Sequence, residues 1–122
     1  MLDIFKEAKI VLNASPYFRG GSHERILYAM AAEAVVFTDR NRYIAEQFKE
    51  GEELEVYDFE SIGSLNDRLL EALSHQEKLT SIGKRGREAV MKEHTWKNRA
   101  LMLKEELPSI LSEIKESVFT KR

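Results

Sequence analysis

Gly20-Gly21-Ser22-His23-Glu24-Arg25 places two side-chain-free positions, a hydroxyl, an imidazole, a carboxylate and a guanidinium in six consecutive residues. Bare backbone beside the start of a helix suits an anion: the first amides of a helix lack intrahelical partners and carry partial positive charge. Glycine just before them lets a ligand approach the main chain, and a phosphate group fits that environment. Arg25 suits bidentate contact with oxyanion oxygens, with a surface ion pair as its plain alternative. His23, in the first helical turn, can donate to a diphosphate, or be an ordinary surface histidine near a cap. Glu24 reads as support for Arg25 or the loop. Tyr28, one turn on, shares their face and offers a hydroxyl, though packing is its simpler role. The plain alternative for the glycines is a tight strand-to-helix connection.

The elements that must position these residues are visible on either side. Ile10-Val11-Leu12 is a short apolar run that breaks at Asn13 and Pro16, as a buried parallel strand does. Ser22 is a favoured N-cap type. Ile26, Leu27, Met30 and Ala31 mark one face of an amphipathic helix. Ala34-Val35-Val36-Phe37 is apolar on both faces and stops at Thr38-Asp39. The result is a βαβ unit with the glycines at the carboxyl end of its first strand, where open parallel sheets bind ligands. Arg40-Asn41-Arg42 forms a polar turn on the same edge, where Arg40 and Asn41 can flank a bound base or sugar.

Other chemistries find less support. The second histidine of a His-Glu-x-x-His zinc site is replaced by Leu27. There is no Gly-x-Gly-x-x-Gly and no Walker lysine, and Asp39 lacks the acidic pair and lysine of a phospho-acceptor site. Lys84-Arg85-x-Arg87 is a basic cluster that reads as a solvated helix face, with a small nucleic-acid binder as a third reading. The formal net charge of -2 argues against that third reading and gives no general argument for an anionic membrane.

The 122 residues bound a single domain, and 43% hydrophobic and 33% charged residues describe an ordinary soluble chain. Without cysteine there is no disulfide, thiolate nucleophile or cysteine-held metal. No apolar run approaches the ~20 residues of a membrane span. The N-terminus lacks the basic and apolar regions of a signal peptide, so a cytoplasmic location is expected.

Residues 2–8 read as a short helix with Asp3 as its cap. After the βαβ unit come a short helix over 43–48 closed by Gly51, and a half-exposed third strand near 53–57 in which Leu54 and Val56 alternate with Glu55 and Tyr57. Asp58 is a candidate cap. From about Ser61 the chain is helical. Ser74-His75-Gln76-Glu77 reads as a capping box, and Gly83 and Gly86 each cost the following helix up to ~1 kcal/mol. Thr95 can cap a last helix, which His94 and Trp96 anchor by packing. Pro108 should kink or restart it, and an apolar stripe runs through Leu107, Ile110, Leu111, Ile114 and Val118.

Leu12-Asn13-Ala14-Ser15-Pro16, Gly20 to Arg25, Ala29-Met30-Ala31 and Val35 to Asp39 together resemble the nucleotide-sugar-binding half of GT-B-fold glycosyltransferases. In particular they resemble the glycosyl transferases group 1 branch and its spore-protein-like relatives, whose related loop ends in His-x-Arg. His94-Thr95-Trp96-x-x-Arg99-Ala100 is similar to the element that follows that domain. The resemblance covers roughly residues 8–105. It implies an α/β fold: a Rossmann-like three-layer half-domain with about three parallel strands (βαβ core about 8–58) and a helical C-terminal segment (about 60–118).

The function it implies is sugar transfer from a nucleotide diphosphate sugar, bound at Gly20, Gly21, Ser22, His23, Glu24, Arg25 and Tyr28, with Arg40 and Asn41 flanking. No resident cofactor or metal is implied. The retaining family's ribose-holding second glutamate stands here as Tyr28, and the glycine that usually follows Ala-Met-Ala stands as Glu33. The acceptor-binding N-terminal domain of such enzymes is not in this sequence, so weak nucleotide binding without transfer is expected, with self-association or packing on another polypeptide. The alternative is a non-catalytic interaction module, a degenerate relic of the fold.

Overall fold

A computed structural model describes residues 2–17 and 20–120. Two compact units divide it, Met1–Met91 and Lys92–Arg122.

The first unit begins with α1 (Leu2–Glu7), β1 (Ile10–Asn13), α2 (Glu24–Ala31), β2 (Val35–Asp39), α3 (Arg42–Gln47) and β3 (Glu55–Tyr57). A 3-10 segment (Phe59–Ser64), α4 (Leu65–Ser74) and α5 (Gln76–Glu93) follow. The strands form one parallel sheet in the order β1-β2-β3, with Leu12 beside Phe37 and Thr38 beside Val56. Parallel sheets need both faces covered, and the buried side chains divide accordingly. Val36 and Val56 pack with Phe5, Ile26, Met30, Ile44 and Phe48 on one side; Val35, Phe37 and Tyr57 pack with Leu65, Leu79 and Ile82 on the other. Each fully buried apolar side chain contributes about 1.5–3 kcal/mol relative to exposure. The three-layer α/β half-domain expected from the sequence is present.

All five residues of β2 are buried: Val35, Val36 and Phe37 as their apolar run requires, and Thr38 and Asp39 with hydrogen bonds from Asn13 and Ser15. β1 lies at the edge of the sheet, and its run is less buried than expected: Leu12 is 50% exposed. β3 also departs, because Tyr57 is buried where alternation placed it outward. The segment after β3 turns straight into α4, which covers that side of the sheet, and α4's Leu65 packs in the same cluster as Tyr57.

The α2–β2 connection explains Glu33. Ala34 N donates to Ala29 O and Glu33 N to Met30 O, the two bonds of a Schellman helix stop. That stop requires a left-handed residue, and Glu33 has φ 65°, where glycine is the usual occupant. α5 lies across this connection. A Cβ on Gly83 would stand 2.3 Å from Glu33 O, and one on Gly86 would stand 2.6 Å from Glu53 O. The two glycines are therefore contact positions, where the helix meets the amino-terminal rim of β2 and β3. Arg85 Nε donates to Glu52 O and Arg87 Nη1 to Ala31 O, so the basic cluster is tied to backbone as well as solvated.

Several caps differ in detail. Asp3 lies inside α1 and faces Lys6 at 4.0 Å. Asp58 starts the 3-10 segment without a side-chain cap bond and pairs with Arg40 instead. A new helix does begin at Gln76, but the Ser74 hydroxyl donates back to Glu71 O.

In the second unit, α6 (Trp96–Thr120) opens on a reciprocal cap: Asn98 N donates to Thr95 Oγ1, and Thr95 N donates to Asn98 Oδ1. The helix runs through Pro108 as one element. Trp96, expected to anchor it by packing, is 75% exposed. His94 Nδ1 lies 3.2 Å from Arg99 Nη2. Among the described residues no helix is long and apolar enough to cross a membrane.

Candidate functional site

Because the three strands are parallel, Asn13, Asp39 and Tyr57 end on one rim of the sheet. The loop through Gly20 and Gly21 leaves β1 there and enters α2. Asn13 is 1% exposed, and its side-chain amide and its carbonyl are all hydrogen-bonded. Its Nδ2 donates to Ser15 Oγ at 3.2 Å and to Thr38 Oγ1 at 3.1 Å. Its Oδ1 accepts from Arg25 Nη1 at 2.9 Å, and its carbonyl accepts from the Tyr57 hydroxyl at 2.6 Å. A rotated amide would oppose donor to donor at Arg25, so this orientation is fixed by the network. Ser15 N donates to Asp39 Oδ1 at 2.8 Å, closing the connection between the loop and β2.

Asn41 adds a second tether. Its Oδ1 accepts from Ile44 N at 2.8 Å, capping α3, while its Nδ2 donates to Gly21 O at 3.2 Å. The glycine loop is thus held from β1 through Arg25 and from the β2–α3 turn through Asn41.

His23, rather than Ser22, is the N-cap of α2. Arg25 N donates to His23 Nδ1 at 3.0 Å, and Ile26 N to His23 O. Ser22 Oγ only donates to the His23 carbonyl. An Nδ1 that accepts leaves the ring proton on Nε2, so the imidazole is a donor at its far side. His23 has thereby taken up first-turn amides that sequence reasoning assigned to a ligand.

Glu24 is exposed in the first turn of α2. Tyr28 is half-buried and packs against the core beneath α2. Gly20 is exposed, and a Cβ there would meet nothing within 4 Å. Arg40 turns from the rim toward acids: Nε donates to Asp58 Oδ1 at 2.8 Å, and Nη1 and Nη2 donate to Glu50 at 3.1 and 3.2 Å. Those bonds raise its pKa. Tyr57, by contrast, was missed by the sequence reading. Burial pushes its phenol upward, and the Asp39 charge adds to the shift.

A separate groove of about 250 Å3 lies between α4, α5 and the sheet, lined by Phe37, Glu55, Arg68, His75 and Lys78 among others. Arg68 fills its wall: the guanidinium stands 5.8 Å from the Phe37 ring centroid and Nη1 donates to Val56 O.

Helices on both faces of a parallel sheet, with a glycine loop leading into a helix at the carboxyl rim, define an α/β domain of the doubly wound class. A family model described as glycosyl transferase-like matches residues 1–105, and the chain belongs to that family. No curated protein matches the chain.

Proposed function

We propose that residues 10–41 form the diphosphate end of a nucleotide-sugar site, in the donor-binding part of a glycosyltransferase. The observation that carries this reading is the double tether of the glycine loop, Arg25 to Asn13 and Asn41 to Gly21, at the carboxyl rim. A loop held from two sides keeps its donors in place before the ligand arrives, and preorganised donors stabilise developing charge most effectively.

In this reading Arg25 faces the diphosphate oxygens, the His23 Nε2–H donates to them, and Gly20 and Gly21 admit them to the main chain. As the sugar departs, negative charge grows on the leaving diphosphate and these donors offset it. Asn13 positions Arg25. Arg40, engaged by Glu50 and Asp58, has the lesser claim on ligand. Tyr28 offers at most a hydroxyl to the ribose, which predicts weak binding by this part alone. The acceptor would come from another domain or chain, and a cytoplasmic setting with nucleotide sugars is the expected one.

Calorimetric titration of UDP-, GDP- and ADP-sugars tests the assignment. Arg25→Ala is expected to weaken binding about 10–100-fold, the loss of a charge-assisted hydrogen bond. Arg25→Lys, which keeps the charge without the fork, falls between. Gly21→Val removes binding. Gly20→Ala leaves the fold intact, so any weakening there reports ligand approach. Binding that Arg25→Ala and Gly21→Val both leave unchanged refutes the loop as the site.

A non-catalytic interaction module is favoured by two other observations: Tyr28 is packed where the related enzymes hold a carboxylate, and β1 presents an exposed edge. Absence of binding to all three nucleotide sugars at millimolar concentration would support it.

A further inference from the structure

α6 carries an exposed apolar seam in a heptad register. Trp96, Ala100, Leu103, Leu107, Ile110 and Ile114 recur at alternating steps of four and three residues, the a and d positions of a coiled coil. All six are exposed, with Leu103 at 56% and Ile114 at 53%. Pro108 falls outside the seam, at the position following an a residue. The seam continues past residue 105, where the family match ends, so it is not required by that family's shared part.

Charge selects the occupant. Toward its start α6 is basic, with Lys97, Arg99 and Lys104; beyond that Glu105, Glu106, Glu113 and Glu116 outnumber Lys115. A parallel pair in register would set the basic stretches against each other, with Arg99 facing Lys104 of the second copy across the g–e contact. An antiparallel pair sets basic against acidic. One antiparallel register satisfies the whole seam: Trp96 meets Ile114, Ala100 meets Ile110, and Leu103 meets Leu107, each pairing occurring twice about the dyad. That register also brings Arg99 alongside Glu113. The dyad places Lys104 beside its own copy and Glu106 beside its own copy, a cost small next to the apolar layers. The acidic second half disfavours an anionic lipid surface.

We propose that this chain dimerises through α6 as an antiparallel coiled coil with Leu103 and Leu107 nearest the dyad. Light scattering on the full chain at tens of micromolar is expected to give twice 14.1 kDa. Leu107→Glu should yield monomer, with the circular dichroism of the sheet unit retained. Glu113→Arg should weaken the dimer about tenfold, and Arg99→Glu combined with Glu113→Arg should restore it. The chain has no cysteine, so direction can be read by cross-linking. Oxidising Ala100→Cys mixed with Ile110→Cys, one copy tagged, should give the mixed disulfide, since facing a and d positions bring the Cβ atoms within bonding reach. A monomer, a larger oligomer, Ala100→Cys homodimers in excess of the mixed species, or a dimer indifferent to Leu107→Glu would each overturn the proposal.

Discussion

Tyr57 joins β3 to β1 across the central strand, its hydroxyl donating to Asn13 O. Its pKa is raised, first by burial and then by the Asp39 charge. A raised folded pKa means that the native state holds the proton more tightly than the unfolded chain does. Tyr57 therefore contributes its full stability below the ordinary phenol value near 10, and that stability is lost as pH climbs through the higher folded value. Urea midpoints measured from pH 8 to 11 should fall above pH 10 in the native sequence. Tyr57→Phe should cost about 0.5–1.5 kcal/mol at pH 8 and flatten the alkaline decline. Glu33 makes the opposite kind of prediction. A left-handed non-glycine residue costs about 1–2 kcal/mol, of which glycine's own entropy would take back about 0.5–1 kcal/mol. Glu33→Gly should then stabilise the chain by about 0.5–1 kcal/mol, seen as a higher thermal midpoint.

At the scale of elements, α5 is held by what its glycines lack. Gly83→Ala would drive a methyl into Glu33 O, and backbone cannot yield as a flexible side chain does. The substitution should destabilise by about 1–3 kcal/mol in denaturant titration, although alanine is the better helix former by up to ~1 kcal/mol. The same substitution at Gly20, with open space, should change stability by less than about 0.5 kcal/mol. This contrast marks how much was legible beforehand. β2 and α2 could be read because an unbroken apolar run and a 3.6-residue period are local signals. Gly83 and Gly86 read as defects because the carbonyls they rest on lie far away in the chain. Ser22 has the statistics of a cap, yet the His23 ring, one residue later, has the reach to Arg25 N. Tyr57 alternated outward by pattern, and only the placement of α4 turned that side inward. The loop itself was legible by residue type; its tethers through Asn13 and Asn41 needed the register of β1 against β2.

For the molecule as a whole, the sheet is asymmetric in its exposure. β2 is paired on both sides and buried, whereas β1 is paired on one side and carries an exposed Leu12. Opening free energies should follow that order. Native-state hydrogen exchange is expected to show the amides of Val36, Phe37 and Thr38 at least about tenfold slower than the slowest in β1. Equal protection would mean that the outer edge of β1 is covered in solution.

The α5 contacts lie at the amino-terminal rim and the glycine loop at the carboxyl rim, separated by the length of β2, about 16 Å at 3.3 Å per residue. Engineering at one end is thus insulated from the other. A variant hardened at Glu33 could serve as a robust background in which damaging loop substitutions are assayed without unfolding confounding the outcome.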